Sequence, residues 1–235
     1  MIQTIAFDAD DTLWHNETLF ALTQADISAL LRPYAEEATL QARLYETEMR
    51  NLRLFGYGAK GFTLSMIETA IEVSEGRVTA REIQTILDGG KALLAHPVEL
   101  LPGVRETLEE LAGTYNLMLI TKGDLFHQES RIAASGLGDL FSALEIVSEK
   151  DTATYERVFR RYHLDPATFL MVGNSLRSDI LPIVALGARA VHIPYAITWQ
   201  HEVADPAQAA HRNWWELASI GELPGKLAEL AADDR

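Results

Sequence analysis

The chain has 235 residues, no cysteine, and a formal net charge of −14 at pH 7. Without cysteine there is neither a disulfide framework nor a thiolate zinc site, and so acidic a balance argues against a nucleic-acid partner, which needs a basic surface. With 48% hydrophobic and 23% charged residues the chain can bury a sizeable core. No apolar run reaches the roughly 18 residues of a membrane helix, and Met1 to Phe7 lacks the basic start of a signal peptide. A cytoplasmic protein without a membrane partner is expected.

Ile2 to Phe7 is a short apolar run that stops at Asp8 and predicts a buried strand. From Glu17 to His96 the apolar residues recur at helical spacing. They predict one helix around Leu19–Leu31, a second over Leu40–Leu54, a third from Leu64 to Val73, and a fourth through Ile83–Leu94. Thr79 followed by Glu82 has the spacing of a capping box for that fourth helix. Beyond Pro97 and Pro102 the pattern changes to strands alternating with helices. The strands are Leu117–Ile120, a weaker Ala143–Val147, Phe169–Val172 and Ala190–Ile193. The helices between them are Val104–Ala112, Gln128–Ala134, Ala153–Tyr162 and Ile180–Leu186, with an edge strand at Asn213–Leu217 and a helix over Gly221–Ala231 closing the chain. Such alternation implies right-handed crossovers and a parallel sheet. The fold class is α/β, a Rossmann-like core with helices on both faces (residues 1–16 and 97–235) interrupted by an all-helical insert (17–96).

Ligands bind outside the carboxyl ends of strands in open α/β sheets. Asp8, Asp10 and Asp11 follow the first strand directly. Neighbouring carboxylates repel unless a cation or a shared proton relieves them, so the cluster is either a metal site with a free nucleophile or a loop of helix-capping aspartates. Gly173-Asn174-Ser175 through Asp179 follows another strand, and oxygen ligands from two loops suit a hard Mg²⁺ ion. That segment also suits a glycine turn with Ser and Asp caps. Thr121 ends the Leu117 strand and could hold a phosphate, or simply start a helix. Lys150 follows the Ile146-Val147 strand.

In order and strand context these four loops resemble the haloacid dehalogenase superfamily of phosphohydrolases. Asp8-Ala9-Asp10-Asp11-Thr12 is similar to its D-x-D-x-T motif, Leu119-Ile120-Thr121 to its apolar pair ending in Thr or Ser, Lys150 to its lysine, and Gly173 to Asp179 to its acidic G-D-x-x-x-x-D loop. The helical insert is similar to the family's helical cap. The resemblance implies that Asp8 attacks phosphorus and forms an aspartyl phosphate. It implies that Asp10 serves as general acid and then base, supported by Thr12, while Thr121 and Lys150 bind the phosphoryl oxygens. Asp8, the Asp10 main-chain carbonyl, Asn174 and Asp179 are the implied ligands of Mg²⁺, and the substrate is a small-molecule phosphate ester.

Two residues depart from the pattern. Asn174 stands where the family usually has Asp, which weakens charge attraction for the metal and shifts weight to Asp179. Asp11 replaces a frequent Gly, and its negative charge is unhelpful beside phosphate unless it points away. Three other readings stay open. A haloacid dehalogenase shares the first Asp but lacks the second acid. A phosphonate-cleaving relative would use an insert lysine, for which Lys60 is the candidate. A phosphate- or partner-binding module without catalysis is favoured by Asn174 alone. Trp14, Phe55 and Tyr57 either shape a pocket or pack in the ordinary way.

Overall fold

In a computed structural model, the structure describes residues 1–204 and 213–233. The chain forms two compact units, Met1–Glu17 with Val98–Lys122 and Gln128–Arg235 in the first, and Thr18–Pro97 with Gly123–His127 in the second.

Among the described residues of the first unit, six strands form one parallel sheet. They are β1 (Thr4–Phe7), β2 (Asn116–Lys122), β3 (Ala143–Val147), β4 (Phe169–Gly173), β5 (Arg189–His192) and β6 (Trp214–Glu216), in the order β3-β2-β1-β4-β5-β6. The first strand is therefore central, with Phe7 beside Leu119 on one side and Val172 on the other. Period-2 alternation divides its neighbours between two apolar layers. Ile5, Phe7, Leu117, Leu119, Leu170 and Val172 pack on one face with Leu108 of α5 (Val104–Ala112) and Leu227 of α9 (Leu223–Asp233). Ala6, Met118, Ile120 and Met171 pack on the other with Tyr155 and Phe159 of α7 (Thr152–Tyr162) and Ile183 of α8 (Leu181–Ala185). Because both faces are covered, the strands read as continuous apolar runs rather than alternating ones.

The helix expected over Ile180–Leu186 differs. A π-helical turn, Leu176–Ile180, comes first and only Leu181–Ala185 is α-helical. Pro182 supplies no N–H for the Ser178 carbonyl four residues back, and the Tyr155 hydroxyl donates to that carbonyl instead at 3.0 Å. The remaining helix of this part of the chain, α6 (Leu125–Ser135), starts earlier than its apolar periodicity suggests, at exposed Leu125 and Phe126.

The second unit contains α1 (Glu17–Leu31), α2 (Glu37–Phe55), α3 (Ala59–Val73) and α4 (Ala80–Ala95), whose inward faces gather Ile27, Leu31, Leu44, Phe62, Met66 and Ile86. The capping box forms: the Thr79 hydroxyl accepts from Glu82 N at 3.2 Å, and the Glu82 carboxylate accepts from Thr79 N at 2.7 Å. At Gly90 an added Cβ would stand 2.1 Å from Thr63 Oγ1, so α3 and α4 close to a distance only glycine permits. No helix among the described residues is long and apolar enough to cross a membrane.

Candidate active site

The site begins where β1 ends. Asp8 N still bonds Val172 O at 2.9 Å, and the chain then folds on itself, with Thr12 N and Leu13 N both donating to Ala9 O. Asp11 closes this turn at φ 63, a conformation that Asp tolerates better than most residues. The turn brings the Thr12 hydroxyl 3.0 Å from Asp8 Oδ2 and 3.3 Å from Asn174 Oδ1. One hydroxyl proton thus faces two oxygen acceptors, one four residues away and one 162 residues away in the chain.

Lys150 reaches the same place from the loop after β3. Its ammonium is hydrogen-bonded to Asp8 Oδ1, and lies 2.7 Å from Asp179 Oδ1. Asp151, next in sequence, caps α7 by accepting from Thr154 N at 2.8 Å, which fixes the chain direction at Lys150. Asp179 Oδ2 accepts from Ser175 N at 3.0 Å. Gly173 makes this possible, because a Cβ there would stand 2.3 Å from Asp179 Cγ. Burial, with Asp179 and Asp10 adding to it, pushes the Asp8 carboxyl up to about 7 against the pull of Lys150. Burial also works against the Lys150 ammonium, but Asp179 and Asp8 outweigh it and hold the amine above its ordinary value.

Direct contacts therefore unite Asp8, Thr12, Lys150, Asn174 and Asp179. Thr121 and the Asp10 side chain stand apart from those contacts. Thr121 is buried at the end of β2, and its Oγ1 has no hydrogen-bond partner among the described residues. The Asp10 carboxylate accepts from Trp14 Nε1 on Oδ1 and from Gln128 Nε2 on Oδ2, both at 2.7 Å. Asp11 points to the start of α1, where its carboxylate accepts from Asn16 N at 2.8 Å and Glu17 N at 3.0 Å. Its oxygens thus face the N–H groups of a helix start. Burial raises its carboxyl to about 8 in spite of those N–H groups.

Among the described residues no group of three or more His, Cys, Asp and Glu is arranged to hold a metal ion. The donors at hand are two carboxylates, Asp8 and Asp179, and the neutral amide oxygen of Asn174, which meets Asp8 on the Thr12 hydroxyl. A set made only of hard oxygens fits Mg²⁺ rather than a softer ion.

Several neighbours of the site carry no sequence signal of their own. Gln128 and Arg131 sit one turn apart on α6, and Arg131 NH1 lies 3.7 Å from Asp10 Oδ1. Lys122 bonds the Glu202 carboxylate, which also accepts from Ser175 Oγ at 2.5 Å and Ser178 Oγ at 2.6 Å. Trp14 is wholly buried and not a pocket wall. Lys60 pairs with Asp124 at 2.9 Å within the helical unit, and Phe55 is exposed.

An open parallel sheet whose carboxyl rim gathers two carboxylates, an amide and a buried lysine is a Rossmann-like α/β core with its polar site where such sheets bind ligands. The model of the haloacid dehalogenase-like hydrolases matches residues 2–187, and the chain belongs to that family. A haloacid dehalogenase-like family hydrolase from Xanthomonas campestris is 46% identical, with a TM-score of 0.88 over 99% of this chain and 93% of that one. A predicted phosphoglycolate phosphatase from Haemophilus somnus (22% identity, TM-score 0.65, 96% and 98% covered) and a 2-haloacid dehalogenase from Pseudomonas syringae (24%, 0.61, 98% and 100%) share the fold. No curated protein matches the chain.

Proposed function

We propose that this hydrolase is a Mg²⁺-dependent phosphatase of small-molecule phosphate monoesters, acting in the cytoplasm through a phosphorylated Asp8. The observation that carries the proposal is the buried Lys150 shared by Asp8 and Asp179. A cation fixed against the nucleophile offsets the like charge of a carboxylate approaching a phosphate. Thr121 adds a buried hydroxyl that no group among the described residues uses, at the neighbouring strand end where a phosphoryl oxygen can accept from it.

In the first step Asp8 bonds to phosphorus, the bond from phosphorus to the leaving oxygen breaks, and Asp10 gives that oxygen its proton. In the second step Asp10 takes a proton from water as the water oxygen bonds to phosphorus and Asp8 departs. Mg²⁺, held by Asp8, the Asp10 main-chain carbonyl, Asn174 and Asp179, would neutralise phosphoryl charge. The presence of Asp10 supports this chemistry over dehalogenation, which has no leaving oxygen to protonate.

The test is phosphate release from a generic aryl phosphate with and without Mg²⁺, beside chloride release from 2-chloropropionate. Mg²⁺-dependent phosphate release that Asp8→Asn abolishes is the expected result. Metal-independent chloride release without any phosphate release overturns the proposal.

A further inference from the structure

The Asp10 carboxylate is gripped on both oxygens by groups that nothing in the motif pattern singles out. Trp14 Nε1 donates to Oδ1 and Gln128 Nε2 to Oδ2, each at 2.7 Å. Arg131 braces the same turn: it donates to Asn16 Oδ1 at 2.6 Å and His15 O at 2.8 Å, and its guanidinium lies 5.7 Å from the Trp14 ring centre. Trp14, Gln128 and Arg131 are all buried. Gln128 Oε1 and Arg131 Nε are buried without hydrogen-bond partners among the described residues. Burying unsatisfied polar atoms costs stability. The Gln128 amide nitrogen offsets part of that cost by donating to Asp10 Oδ2 and, at 3.3 Å, to Lys122 O.

We propose that Gln128 and Trp14 are positioning residues for Asp10, fixing the plane of its carboxylate so that it delivers and recovers the proton of the leaving oxygen. This inference rests on the phosphatase reading given above. A carboxylate with free side-chain torsions spends little time within hydrogen-bond reach of a leaving oxygen, and proton transfer demands that reach. One donor on each oxygen removes that freedom. It also leaves a lone pair on each oxygen for the transferred proton. An indole N–H can only donate, so Trp14 sets the orientation without competing for that proton.

The experiment compares Gln128→Leu and Trp14→Phe with wild type on two phosphate esters, an alkyl phosphate that needs a proton on departure and dinitrophenyl phosphate, which does not. Asp10→Asn is run beside them. In pre-steady-state bursts, both variants are expected to lose about tenfold or more in the rate of alkyl release, and about twofold or less in dinitrophenolate release. KM is expected to stay within about twofold. Thermal melts measure folding separately. Equal losses on both esters, or unchanged rates in both variants while Asp10→Asn loses alkyl release, overturn the positioning role alone. No phosphate release by wild-type protein overturns the phosphatase reading and this inference with it.

Discussion

Lys150 Nζ lies 2.7 Å from Asp179 Oδ1 and is hydrogen-bonded at the same time to Asp8, so one buried ammonium serves two buried carboxylates. Removing it leaves two buried acids facing each other without their shared cation. Lys150→Ala is expected to cost about 3–5 kcal/mol of stability, the usual result of breaking a buried ion pair from one side. Lys150→Arg should not restore turnover, because a planar guanidinium cannot replace a compact point charge between two oxygens. Urea unfolding and phosphate release check the two halves.

Thr121 gives the opposite signature. Its Oγ1 is buried with no partner among the described residues, so Thr121→Val removes an unsatisfied atom at almost no change of shape. Stability is expected to hold or to rise by up to about 1 kcal/mol. The rate constant kcat/KM should fall about 10²-fold, as for loss of one donor to a developing oxyanion. Paired unfolding and kinetic measurements on one preparation decide it, and a variant that loses stability without losing rate refutes the phosphoryl role.

Asp11 is expected to behave as a structural cap. Asp11→Ala loses the acceptors for Asn16 N and Glu17 N and places Ala at φ 63, a cost of about 1–2 kcal/mol or more. Asp11→Asn keeps an acceptor and tolerates that backbone. The pH dependence has a definite sign. The carboxyl is raised from its model-compound value of 3.8 to about 8 on folding, so its contribution is present below about pH 4 and lost as pH rises through 8. The wild type should therefore weaken relative to Asp11→Asn over that window in denaturant titrations.

Glu202 should show the reverse slope. Burial pushes its carboxyl up, but Lys122 and the hydroxyls of Ser175 and Ser178 more than offset this and hold it at about 2, below its model-compound value of 4.5. A depressed acid stabilises above its unfolded value and loses that stabilisation as pH falls through the folded one. The advantage of wild type over Glu202→Gln, up to about 3 kcal/mol at neutral pH, should shrink between about pH 4.5 and 2. A gap that stays constant across that range removes the ion pair as its source.

The sheet was legible because buried parallel strands leave uninterrupted apolar runs. Those runs stop at Asp8, Thr121 and Gly173, which announced where polar side chains would collect. The fourth helix of the second unit announced itself through Thr79 and Glu82, a purely local device. What the sequence hid depends on contacts between distant segments. Gln128 and Arg131 look like an ordinary polar face of a helix until α6 is laid against the Asp10–Asn16 turn. Glu202 reveals nothing until it meets Lys122, 80 residues away. The role of Asp11 turns on a backbone angle, and the Ser178 carbonyl finds its donor in a tyrosine hydroxyl 23 residues away. Neither is a property of local residue pattern.

All six strands among the described residues point the same way, and every group assigned to chemistry lies at or just beyond their carboxyl ends. The far rim, where Gln3 N bonds Thr168 O at 2.8 Å and the Pro166–Thr168 turn enters β4, carries none of them. That rim is the natural place to tether the protein to a bead or a sensor. A linker grafted near Asp165 would leave the opposite mouth facing the bulk solution.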